Sequence, residues 1–128
     1  MINVREFIGI PFKLHGRDMN GIDCWGLDIL IYKKIFNITL PDFNYESLDE
    51  RDFVRTQILN EKMLEKIDKP QENCIIEINV KGHPVHTGIY LGEGQFIHAT
   101  DDYGVIIEPL SRYASKIRGF YKVTDCII

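Results

Sequence analysis

The longest apolar stretch starts at Trp25 and runs through Leu27, Ile29, Leu30, Ile31, Tyr32, Ile35 and Phe36. Asp28, Lys33 and Lys34 are its only charges. These apolar positions lie nearly all round a helix, and Asp23 can cap its start, so the pattern predicts an inner helix over 23–36. Before it, Val4 to Ile8 reads as a short helix or irregular start, followed by a polar loop punctuated by Gly9, Pro11, Gly16 and Gly21. After it, Asn37 to Tyr45, with Pro41, is a connector. A second helix is expected from Leu48 to Ile67, with Ser47 and Glu50 at capping-box spacing and Val54, Ile58, Leu59, Leu64 and Ile67 on one stripe. Pro70 stops it.

The second half reads as strands: Cys74 to Val80, Val85 to Leu91, Gln95 to Thr100, Val105 to Glu108 and Gly119 to Val123. A Lys-Gly-His-Pro turn at Lys81 to Pro84 joins the first two. Helices first and strands second is the pattern of an α+β fold. With 128 residues the chain is expected to be one domain.

Composition narrows the function. Apolar residues make up 45% and charged residues 27%, and the formal net charge is −4, which argues against a nucleic-acid backbone as partner. No apolar run is long enough to insert into a membrane, and the first residues lack the pattern of a secretory signal. Synthesis in the cytoplasm without a signal peptide is the expectation. Three cysteines, Cys24, Cys74 and Cys126, are too few and too widely spaced for a disulfide framework.

Cys24 follows the capping Asp23, where helix N–H groups and the positive end of the helix dipole favour a thiolate and could hold an oxyanion. Gly26 leaves room for a substrate. On position alone, a small buried hydrophobe is the commoner role for a free cysteine. Cys74 and Cys126 lack such surroundings.

Val85 to Ala99 reads as a hairpin with a three-residue loop, Gly92-Glu93-Gly94. That loop pairs Leu91 with Gln95, sets His98 opposite Gly88, and puts His86 and His98 on one face. A two-residue loop would shift the pairing by one and turn the histidines to opposite faces. A zinc site of His86, His98 and Cys24 is a minority alternative, since no closely spaced ligand pair accompanies them. No metal or other cofactor is expected.

Four blocks, Gly9-Ile-Pro-Phe, Asp23-Cys-Trp-Gly, His86-Thr-Gly-Ile-Tyr and Phe96-Ile-His-Ala, occur in this order. Together they resemble the NlpC-type, papain-like cell-wall peptidases, whose pattern is Gly-x-Pro-Tyr, Asp-Cys-Ser-Gly, His-Val-Gly-Ile-Tyr and Phe-x-His-Ala. Gly16-Arg17, an aromatic residue after the cysteine and Leu40-Pro41 resemble the phage tail branch, which includes tail-tip assembly peptidases.

The resemblance implies a papain-like cysteine peptidase fold, with N-terminal helices packed on a C-terminal antiparallel sheet. It implies hydrolysis of amide bonds in peptidoglycan stem peptides, with Cys24 as nucleophile, His86 as general base and His98 orienting His86. Asp23, Phe12 and Trp25 fall at substrate-side positions. Phe12 stands where the family has Tyr, and Trp25 where it has Ser, which narrows the cleft beside the thiol. The tail branch adds other phage tail proteins as partners and the virion tail as location. The alternative in that branch is a structural tail-tip component with vestigial catalysis.

Overall fold

The computed structural model describes residues 1–42, 64–80 and 83–124. The chain opens with a single 3-10 turn at Arg5–Phe7, and two short paired strands, β1 (Arg17–Asp18) and β2 (Gly21–Ile22), lead into the helix. Asp23 has an extended backbone and its side chain accepts from the Gly26 N–H, a helix cap of the expected kind. Helix α1 covers Cys24–Ile31 and widens into a π turn over Tyr32–Phe36. Asn37, in the left-handed conformation at φ 56°, ends it. The helix predicted over 23–36 therefore has the right extent. Leu27 and Ile31 on it are fully buried.

Six antiparallel strands form the main sheet in the order β3-β8-β4-β5-β6-β7. They are β3 (Leu64–Ile67), β4 (Ile75–Val80), β5 (His83–Gly92), β6 (Gln95–Thr100), β7 (Gly104–Pro109) and β8 (Ile117–Val123). A 3-10 segment, Leu110–Lys116, bridges the last two. The architecture is α+β, as expected.

Two expected elements differ. His83 and Pro84, expected in a turn, already belong to β5, and Val80 pairs with His83. Most of the predicted second helix, with Ser47 and Glu50, lies outside the described residues. Its last four positions, Leu64–Ile67, are a strand and not a helix. There Leu64 pairs with Val123 and Ile67 with Phe120 at the sheet edge, so pairing to β8 overrides the helical stripe.

Alternation along the strands sorts the interior into two layers. Ile75, Ile89, Leu91, Ile97 and Ala99 pack with Leu27 and Ile31 of α1. Cys74, Ile76, Ile78, Phe96 and Leu110 form the core on the other face.

The hairpin that joins β5 to β6 sets the site's register. Its turn is two residues, Glu93-Gly94, at φ 54° and 79°, closed by Gly92 opposite Gln95. The three-residue loop with Leu91 opposite Gln95 is therefore corrected. Leu91 is instead an extra residue: the register shifts between Tyr90 and Gly92, so Tyr90 faces Phe96 and Ile89 faces Ile97. This bulge cancels the one-residue shift of the tighter turn. His86 and His98 stay on one face.

Candidate active site

Cys24 is the first residue of α1, and the helix packs on β5. The Tyr90 N–H donates to the Cys74 carbonyl and its C=O accepts from the Asn73 N–H, both just before β4, so by alternation the Thr87 N–H points toward β6. The β5–β6 ladder ends at Ile89–Ile97, while β6 continues with β7 to Thr100. Where the two strands part, the Cys24 sulfur takes hydrogen bonds from the Thr87 N–H and hydroxyl. The sulfur thus sits against β5 at Thr87, the residue that follows His86 in the chain.

Burial pushes the Cys24 thiol up to about 12, and negative charge at Asp23 and at Asp28 adds to the rise, while the two Thr87 hydrogen bonds oppose it. Burial and the neighbouring carboxylates thus act against the thiolate that the helix start favours, and a base beside the sulfur would offset them. Cys74 is also pushed up, to about 11, first by burial, and lies in the core of the other face. Cys126 is outside the described residues.

The base is carried by an ordered chain of polar groups. His86 Nε2 lies 2.6 Å from His98 Nδ1, and His98 Nε2 lies 2.7 Å from Glu108 Oε1. Glu108 also accepts from Arg112 at 2.7 Å and from the Tyr113 hydroxyl at 2.9 Å. Burial pushes the Glu108 carboxyl up, but hydrogen bonds from His98, Tyr113 and Arg112 outweigh it and hold it below the ordinary glutamate range. Burial lowers His98, and Glu108 only partly restores it, so its imidazole is held neutral.

These charges fix the tautomers. A carboxylate at Glu108 requires His98 Nε2 to donate, which leaves His98 Nδ1 as an acceptor. His86 Nε2 must then donate to it. His86, donating from Nε2, then carries its lone pair on Nδ1.

The zinc alternative does not fit this contact. Two nitrogens each about 2.0–2.1 Å from a tetrahedral zinc stand more than about 3 Å apart. Here the facing nitrogens bond directly, and among the described residues no group of three or more His, Cys, Asp or Glu is placed to hold a metal.

A family model described as the NlpC/P60 family matches residues 9–121. The chain belongs to the NlpC/P60 family. It is 27% identical over 106 residues to the murein DD-endopeptidase MepS/murein LD-carboxypeptidase of Escherichia coli K12, covering 83% of this chain and 50% of that protein. It is 28% identical over 126 residues to the γ-DL-glutamyl hydrolase of Bacillus subtilis, covering 96% of this chain and 28% of that one. The chain thus spans half or less of these two relatives. The solved NlpC/p60 domain of the peptidoglycan hydrolase SagA superposes with a TM-score of 0.68 at 18% identity, covering 93% of this chain and 92% of that one, a likeness of fold.

Within this NlpC/P60 fold, the three residues expected on the substrate side do mostly internal tasks. Asp23 is 2% exposed, and its oxygens accept from the Gly26 N–H, the His15 N–H and the Arg17 guanidinium, each at 2.8 Å. Trp25 is buried in the main core, and its indole N–H donates to the Pro41 carbonyl at 2.9 Å. Its bulk fills the interior instead of narrowing a cleft. Phe12 is half-buried, packs on the same core and bridges to Ile22. The room expected beside Gly26 is occupied: a Cβ there would stand 2.3 Å from the Gly16 carbonyl oxygen. Gly26 lets the segment leading into β1 close on the helix.

Gly88 has the corresponding role between the histidines. A Cβ on it would meet the Ile97 oxygen at 2.7 Å, Phe96 Cδ2 at 2.8 Å and His98 Cβ at 3.1 Å. Glu108, Arg112 and Tyr113 were not singled out by sequence reasoning. The only signal was a carboxylate ending an apolar strand ten residues after His98.

Proposed function

We propose that this chain is a cysteine peptidase that hydrolyses amide bonds in peptidoglycan stem peptides, with Cys24 as nucleophile and His86 as general base. The observation that carries the reading is the His86–His98–Glu108 chain, whose first member precedes Thr87, the residue that bonds the Cys24 sulfur at the helix start. His86 Nδ1 takes the thiol proton as sulfur attacks the amide carbonyl, giving a tetrahedral intermediate whose oxyanion the Cys24 N–H helps hold. The imidazolium then protonates the departing amine, leaving a thioester. Water, with His86 again as base, releases the carboxylate and restores the thiol. His98 and Glu108 act through His86: they fix its tautomer and stabilise its positive charge.

Peptidoglycan as substrate is supported by the murein-directed name of the Escherichia coli relative and by the peptidoglycan hydrolase that shares the fold. The finer placement in the phage tail branch, with tail proteins as partners, is supported by Gly16-Arg17, Trp25 and Leu40-Pro41. Those residues meet in one contact set, because Arg17 pairs with Asp42 and Trp25 with Pro41. A purely structural tail role draws less support, since the buried Trp25 is accounted for by packing and the relay is intact.

Incubation of the protein with purified peptidoglycan, followed by mass spectrometry of the released fragments, tests the reading. Shortened stem peptides with a new amino terminus inside the stem are the expected products. Stem peptides of unchanged mass, with the protein folded, would contradict it.

A further inference from the structure

Asp28 is a buried acid that the reaction above does not use. It is fully buried, one helical turn after Cys24 on the same side of α1. Its Oδ2 lies 2.5 Å from the Thr87 hydroxyl, while its Oδ1 is buried with no hydrogen-bond partner among the described residues. The same Thr87 hydroxyl, together with the Thr87 N–H, bonds to the Cys24 sulfur. An acid with an orphaned oxygen in an apolar layer costs stability, so its placement against the residue that holds the sulfur calls for a reason.

We propose that Asp28 is a positioning residue for the nucleophile, holding the Thr87 hydroxyl as a hydrogen-bond donor on the Cys24 sulfur. Burial keeps the Asp28 carboxyl well above the ordinary aspartate range, opposed by the Thr87 bond and assisted by the charge on Asp23. In the proposed arrangement the 2.5 Å contact between Asp28 Oδ2 and the Thr87 hydroxyl is made by a protonated Asp28 that donates to Thr87 Oγ1. The hydroxyl is then directed at sulfur, and charge developing there meets two donors from one residue.

Ionised Asp28 would do the reverse. It would draw the hydroxyl toward itself and place a second negative charge beside the sulfur, which disfavours the thiolate. Among the described residues, Thr87 and Asp23 act on Asp28. On its own helix and cap stand Cys24 and Asp23, the latter paired with Arg17. From β5 comes Thr87, and β6 packs on that layer through apolar Ile97 and Ala99.

The proposal rests on Cys24 being the nucleophile, and its test reads the sulfur without using hydrolysis. The rate of Cys24 alkylation by iodoacetamide is followed by peptide mass spectrometry from acid to alkaline pH, in the full chain and in Asp28→Asn, Asp28→Leu and Thr87→Val. Removing the donor in Asp28→Leu and Thr87→Val is expected to slow alkylation at neutral pH by about tenfold and to move the profile upward by about one pH unit. Asp28→Asn keeps a donor that cannot ionise. It is expected to restore the neutral-pH rate and to lose any alkaline decline. Thermal unfolding of each variant establishes that it is folded, and Thr87→Val carries the test if Asp28→Leu is not.

Wild-type profiles in Thr87→Val and any folded Asp28→Leu would overturn the proposal, as would a loss in Asp28→Asn as large as in Asp28→Leu. Alkylation that follows the expected order in a protein that cleaves no peptidoglycan would support it while contradicting the hydrolase reading.

Discussion

Cys24→Ala is expected to lower peptide cleavage by roughly ten-thousand-fold or more while leaving the fold in place. The size follows from the role. Without sulfur there is no thioester, and what remains is binding and the helix N–H groups acting on water. The fold is kept because alanine suits the first turn of a helix, and the cap belongs to Asp23. Cys74→Ala is the internal control. Cys74 is 2% exposed, so the variant should lose stability by roughly 1 kcal/mol yet cleave at nearly the wild-type rate. Steady-state rates and melting curves of both variants check the contrast. Equal loss of activity in the two would remove Cys24 from its assigned role.

His86→Ala is expected to lower kcat by roughly a hundred- to ten-thousand-fold, toward the larger figure. The resting thiol explains why. With the Cys24 thiol pushed up to about 12, the sulfur keeps its proton at pH 7 unless a base removes it. The pH dependence has a definite sign. The thiol loses its proton as pH rises, so the residual rate of His86→Ala should climb about tenfold per pH unit through neutral and mildly alkaline conditions. The wild-type rate should instead fall on the acid side, when the imidazoles protonate. Because burial lowers His98, its part of that fall lies below the ordinary histidine range near 6.5. A His86→Ala rate that stays flat with pH would contradict a thiol waiting for its base.

Local signals made much of the fold legible in advance. Asp23 followed by an apolar run marked α1, and alternating β-branched stretches marked five strands close to their observed bounds. What depended on distant partners was not legible. Leu64 and Ile67 fit a helical stripe as well as a strand, and only pairing with β8 decides between them. The shared face of His86 and His98 came out as expected for a different reason: a tighter turn and a bulge at Leu91 cancel. Neither feature leaves a clear mark in the residues, because Gly92-Glu93-Gly94 suits both loop lengths.

The site was half legible for similar reasons. Cys24 and the two histidines carry their chemistry in their residue type and spacing. Glu108 reads as the polar end of a strand until β7 is laid beside β6 and brings it to His98. Asp28 reads as a charge interrupting an apolar helix, and its contact to Thr87 spans 59 residues. Asp23 and Trp25 were assigned outward roles by position, whereas their partners lie inside the fold.

The most direct test is to catch the covalent intermediate. The protein is mixed with a peptidoglycan stem peptide, quenched in acid within a turnover, digested and weighed. A mass increment equal to the amino-terminal part of the stem peptide, on the fragment containing Cys24 and absent from Cys24→Ala, is the result predicted. Cleavage that proceeds with no increment on Cys24, and continues undiminished in Cys24→Ala, would contradict the account.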